Sequence, residues 1–172
     1  MTVLTLIHVV ISLIGIASGF VVLFGLLTGK RFDGWTALFL ASTVATSVTG
    51  FLLPFHRFMP SHVFGIMSLL VLVVAIVARY TSHLVGAWRW IYVVSAMVAL
   101  YLNAFVLVAQ AFAKAPALKA IAPTQSEPPF LISQLVVMAL FIVLSIAAVK
   151  RFRTERPVCR YEQTLPSPTA NP

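Results

Sequence analysis

Five stretches of this chain run for about 20 residues each with no Asp, Glu, Lys or Arg in their interiors, and nothing else in the sequence narrows the possible folds so far. They cover residues 3–27, 35–55, 62–78, 90–112 and 130–149. Hydrocarbon holds no water to satisfy backbone N–H and C=O groups, so a segment that crosses it must close its own hydrogen bonds. The two-residue alternation of a membrane barrel is absent, which leaves helices. The expected fold is all-α: a polytopic transmembrane bundle of five spans over residues 1–150, then a tail over residues 151–172 that is first basic and then disordered. A water-soluble globule is excluded, because only 9% of the residues are charged and 60% are hydrophobic, against roughly 25% charged in ordinary soluble domains.

The first span starts almost at Met1 with no basic residue before it, and its apolar run exceeds a signal-peptide core, so it is expected to stay in the mature protein. An odd number of spans puts the termini on opposite sides. Nine of the twelve Lys and Arg residues fall on one side (Lys30, Arg31, Arg79, Arg89, Lys150, Arg151, Arg153, Arg156 and Arg160) and three on the other (Arg57, Lys114 and Lys119). The positive-inside rule then predicts the N-terminus outside and the C-terminus cytoplasmic, as in a bacterial inner membrane. Trp35, Tyr80, Trp88 and Trp90 fall at the predicted cytoplasmic boundary, where amphipathic rings prefer to sit.

That topology accounts for most of the net charge of +8, so the basic balance points to membrane lipid and not to nucleic acid. The run from Lys150 to Arg153 suits anionic headgroups, at about 1 kcal/mol per basic residue. Cys159 stands alone in the tail, which removes any disulfide or cysteine-based metal site. The connection over residues 113–129 carries Pro116, Pro123, Pro128 and Pro129, with Glu127 as the sole acid on the outer side. It is compatible with either a packed lid or a mobile loop.

Ionisable groups within a membrane are expensive and by default mark function. Here they are histidines. His8 lies in the outer turns of the first span, His56 at the outer end of the second and His62 at the outer start of the third, whereas His83 reads as an interfacial residue at the opposite end. His8, Ser12, Gly15 and Gly19 share one helical face, and the G-x-x-x-G pair turns that face toward a neighbouring helix. Ser42, Thr46, Thr49 and His56 follow the same spacing on the second span, with Pro54 as a possible kink. Asn103 and Gln110 share a face of the fourth span, and Gln134 sits near the outer end of the fifth. The candidate site is therefore a band of His8, His56, His62, Asn103, Gln110 and Gln134 beneath Arg57. A shift of 54 residues superposes His8 on His62, Thr49 on Asn103 and His56 on Gln110, the pattern of a duplicated helix pair.

Haem binding needs an imidazole on each face of the iron, from different helices at similar depth, and small residues to admit the porphyrin. His8 and His62 meet the first demand, and Gly15, Gly19 and Gly65 the second. In this respect the chain resembles small bacterial multi-span membrane proteins and, more distantly, four-helix membrane b-type cytochromes. The resemblance covers spans one to four. It implies haem b on bundle histidines, although the fixed spacing of histidines within one helix that those cytochromes use is missing.

Three histidines also suit a metal ion, with His8, His56 and His62 as ligands and Glu127 as base or fourth ligand. A quinone ring is the remaining ligand class, hydrogen-bonded by a histidine and lined by Phe55, Phe58, Phe64 or Tyr101. Proton or ion transport is disfavoured by the lack of any carboxylate or lysine within a span. No G-x-S-x-G, P-loop, Gly-rich dinucleotide fingerprint or C-x-x-C occurs, so soluble-type enzyme chemistry has no foothold. The expected function is haem b or quinone binding for electron transfer. The alternative is a non-catalytic scaffold that assembles with another integral membrane protein, or with itself, through its Gly- and Ser-bearing faces.

Overall fold

The computed structural model of the chain describes residues 3–52 and 60–152, without the side chains of residues 60–62. Its elements are α1 (Val3–Thr28), α2 (Asp33–Leu52), α3 (Pro60–Ile76), α4 (Trp88–Lys114), α5 (Pro116–Ile121) and α6 (Pro128–Arg151). A π-helical turn, Val77–Thr81, continues α3, and no strand occurs among the described residues. Five of these helices are long and apolar enough to cross a membrane, and the shortest has 19 residues. At 1.5 Å per residue that is about 29 Å, close to the roughly 30 Å of a hydrocarbon core.

The chain turns sharply between spans. Gly29 ends α1 in the left-handed region at φ 72°, and the Lys30 N–H reaches back to the Gly25 carbonyl at 2.9 Å, the Schellman closure that glycine permits at this position. Prolines open α5 and α6, where a missing N–H costs nothing.

In space α1 packs on α2, α2 on α3 and α3 on α4, while α4 returns to α1 and so closes a four-helix ring. α6 lies outside that ring against α4 and α1. α4 is the most buried helix because its inner face alternates small with large residues: Ser95, Ala96 and Ala99 beside Tyr92, Met97 and Leu100. The predicted small-residue face of α1 is also interior. A β-carbon on Gly15 would stand 3.2 Å from Ser42 Oγ, and one on Gly19 would stand 3.0 Å from the Phe39 ring. Helices without a hydrophobic drive toward each other associate through this kind of close approach. Hydroxyls inside the bundle satisfy themselves on their own helices: Ser18 donates to Ile14 O at 2.7 Å, Ser42 to Leu38 O at 2.6 Å and Ser95 to Ile91 O at 2.7 Å.

The basic end of the bundle is tied together by charged side chains. Arg79 pairs with Asp33, and its guanidinium lies 5.2 Å from the centre of the Tyr92 ring. Arg89 donates to the Phe152 carbonyl at 2.6 Å, and the Phe152 ring is buried. Trp35, Tyr80, Trp88 and Trp90 are exposed at this end. His83 is exposed in the turn that follows α3. The tail residues 153–172, with Cys159, lie outside the described residues.

The connection at the opposite, histidine end is packed. Phe112, Ala122 and Phe130 form a buried cluster with Val108, Ala109 and Leu118 around them. The Phe112 and Phe130 rings meet edge to face at 5.4 Å. Gln125 donates to the Ala109 carbonyl at 2.8 Å. Within residues 113–129 this packing buries Ala122 and leaves most of the other side chains exposed or partly exposed.

Candidate functional site

At the histidine end, helices α1 to α4 do not fill the space between them. Gly50 on α2 and Gly65 on α3 supply no side chain, and the spacing leaves a cavity of about 160 Å³. Its wall is made by His8 and Ser12 of α1, Thr46, Ser47, Gly50 and Phe51 of α2, Phe64, Gly65 and Ser68 of α3, and Leu102, Asn103, Val106 and Gln110 of α4. Phe51 and Val106 are more than a third exposed and Gln110 is exposed, so the cavity opens beside these three residues.

His8 is half-buried and fixed by one hydrogen bond. Its Nδ1 lies 2.9 Å from Thr49 Oγ1. Thr49 in turn donates to the Ala45 carbonyl at 2.7 Å. The imidazole edge faces Gly50, where a β-carbon would stand 3.6 Å from His8 Cε1; a longer side chain at that position would displace the ring.

The wall that α4 contributes carries amides. Asn103 Nδ2 donates to Thr43 Oγ1 at 3.2 Å, which links α4 to α2. Ser47 donates to the Thr43 carbonyl at 3.0 Å, and its hydroxyl lies 3.4 Å from that of Ser68. Among the described residues Thr46 Oγ1 is buried without a hydrogen-bond partner, a costly state for a hydroxyl. Of the aromatic residues expected around a quinone, Phe64 lines the cavity and Tyr101 does not, while Phe55 and Phe58 lie outside the described residues. Phe64 stacks on Phe105 with centroids 4.7 Å apart, and Tyr101 meets Phe105 edge-on at 6.2 Å.

The structure gathers only part of the predicted band. His8, Asn103 and Gln110 line the cavity together. His56 and Arg57 lie outside the described residues, as does the side chain of His62, whose backbone forms the first turn of α3. Gln134 does not line the cavity. It is buried on α6 and donates to the Phe105 carbonyl at 3.2 Å, because α6 packs outside the four-helix ring.

Glu127 is engaged elsewhere too. Its carboxylate accepts the Thr124 N–H at 3.1 Å and hydroxyl at 2.9 Å, and the Ser126 N–H at 3.0 Å. Desolvation opposes ionisation there, but the hydrogen bonds from Thr124 and Ser126 outweigh it and hold the carboxyl below its ordinary range. Among the described residues no group of three or more His, Cys, Asp and Glu side chains is placed to hold a metal ion.

Sequence reasoning missed Ser47, Gly50 and Ser68 as wall residues. The signal was present: Thr43, Ser47 and Gly50 follow i, i+4, i+7 spacing on α2, and Gly65 and Ser68 are three apart on α3, so each set shares a face. Small polar residues carry little weight when charged groups are the guide. No family model matches this chain, and it matches none of the curated proteins or solved structures at a significant level.

Proposed function

We propose that this chain is a multi-pass protein of a bacterial-type inner membrane, N-terminus outside and C-terminus cytoplasmic, whose His8 cavity binds the ring of a membrane quinone in the service of electron transfer. The observation that carries this reading is the cavity itself: a fixed imidazole on α1, the amide groups of Asn103 and Gln110 on α4, and the rings of Phe51 and Phe64 around a space of about 160 Å³. An engineered cavity of about 150 Å³ holds one benzene ring. A single six-membered ring with oxygen at both ends matches that volume and that distribution of polar groups, and the opening beside Phe51 and Val106 gives a hydrocarbon tail an exit toward lipid. Haem b, the other ligand the histidines suggest, needs several times this room for its four pyrroles, so the volume favours the smaller ring.

The test is to purify the protein in mild detergent, extract it with organic solvent and quantify quinone per chain. The reading expects near-stoichiometric quinone in the wild type and its loss in His8→Ala. A Soret band lost in both His8→Ala and His62→Ala would favour haem. A colourless, quinone-free preparation that co-purifies with a defined integral protein would favour the scaffold reading, for which the exposed apolar face of α6, including Leu135, Val136 and Val143, offers a surface. Orientation is tested by membrane-impermeant maleimide, which should label Cys159 only from the cytoplasmic side.

A further inference from the structure

We infer that the cavity selects the reduced form of its ligand: a quinol binds by donating one hydroxyl to His8 Nε2, and the oxidised quinone, which has no hydroxyl to donate, binds less well. This rests on the reading of the cavity as a quinone-ring site.

The argument follows a single proton on Thr49. Its hydroxyl lies 2.7 Å from the Ala45 carbonyl and 3.2 Å from the Thr46 carbonyl, so two acceptors on its own helix draw the proton away from α1. Thr49 Oγ1 then offers His8 only a lone pair. At 2.9 Å the contact is a hydrogen bond, so His8 Nδ1 carries the hydrogen and donates it. A neutral imidazole has one N–H, and its other nitrogen is an acceptor. Nε2 is thereby left as a bare acceptor, and no hydrogen bond joins it to any described residue.

A quinone presents only carbonyl lone pairs to such a nitrogen, and two acceptors facing each other leave both unsatisfied. A quinol presents O–H. A site built around one donor–acceptor pair rejects the analogue that lacks the donor. The amide wall does not discriminate in this way. Amides donate and accept, so Asn103 and Gln110 suit either a carbonyl or a hydroxyl at the far end of the ring.

The experiment compares 2,3-dimethoxy-5-methyl-1,4-benzoquinone with its hydroquinone, the latter under argon, by calorimetric titration of the full chain in lipid nanodiscs. It is run at pH 8, above the ordinary imidazole pKa of about 6.5. The expected result is binding of the hydroquinone at least about tenfold tighter than the quinone, the equivalent of about 1.4 kcal/mol. Thr49→Ser should keep that preference. Thr49→Val frees the imidazole to present N–H at Nε2 and should bring the ratio toward unity by strengthening quinone binding. A ¹⁵N spectrum of the histidines, independent of any variant, should show His8 Nδ1 protonated and Nε2 bare. Equal or tighter binding of the quinone by the wild type, with both forms weakened by His8→Phe, would overturn the redox selectivity and leave the site reading standing. If neither form binds, both fail.

Discussion

His8 on α1 and Thr49 on α2 are joined Nδ1 to Oγ1 at 2.9 Å, the side-chain hydrogen bond that closes the α1–α2 hairpin at its histidine end. Interhelical bonds of this kind are worth about 0.6 kcal/mol on average in membrane bundles. Thr49→Val, which preserves shape, should therefore lower stability by about 0.5–1 kcal/mol in reversible SDS titration and leave the protein folded. A loss well above that, or none at all, would mean that the hydroxyl is not bonded as described.

Packing of α1 against α2 and α4 depends on the missing side chain at Gly19. A β-carbon there would stand 2.5 Å from Leu100 Cδ1 and 3.0 Å from the Phe39 ring, whereas one on Gly34 would meet nothing within 4 Å. Gly19→Ala should cost about 1–3 kcal/mol by overpacking. Gly34→Ala, in the first turn of α2, should gain about 0.5 kcal/mol by lowering the entropy of the unfolded chain. Thermal unfolding of the two variants side by side checks both the sign and the contrast.

Arg79 and Asp33 are unequal partners. The Arg79 side chain is 9% exposed and that of Asp33 78%, and Arg79 also lies over Tyr92. Removing the carboxylate in Asp33→Asn should cost under about 1 kcal/mol, because the partner is solvated. Arg79→Ala loses the pairing, the cation–π contact and the packed stem, so the loss should be about 1–3 kcal/mol. A double-mutant cycle with a coupling energy equal to the whole Arg79 effect would contradict the assignment of most of that effect to packing.

The connection between α4 and α6 is predicted to loosen in acid. The Glu127 carboxyl is held below its ordinary value of 4.5, so its contribution to loop order is fully present above the unfolded pKa and is lost as pH falls through the lower, folded one. Protease sensitivity within residues 116–127 should therefore be flat above about pH 5 and rise once the pH falls below that ordinary value. Glu127→Gln should be sensitive throughout and independent of pH. A wild-type profile that changes near neutrality would point to another group.

How far the sequence reveals this molecule depends on the kind of interaction. Spans were legible because hydrophobicity and length act locally, and every span reads to within a few residues, the last three expected of the second lying outside the described residues. The interior face of α1 was legible because Gly15 and Gly19 repeat at helical spacing. The site was half legible: His8, Asn103 and Gln110 could be placed on faces and at one depth, but not Gln134, because depth does not tell which side of α4 receives the fifth span. Thr49 sat on the correct face of α2, yet its pairing with His8 needed the rotation of one helix against the next. Arg79 entered the sequence reading only as a count toward topology, since an ion pair 46 residues apart has no local signature.

The most direct measurement for the His8 cavity is photolabelling of the full-length protein in its membrane with an azido-substituted benzoquinone, followed by peptide mapping. Labels should fall on α1 around His8 and Ser12 and on α4 around Asn103 and Gln110, and an excess of unlabelled quinone should abolish them. Labelling confined to the outward face of α6, at Leu135, Val136 or Val143, and insensitive to that excess would contradict the account.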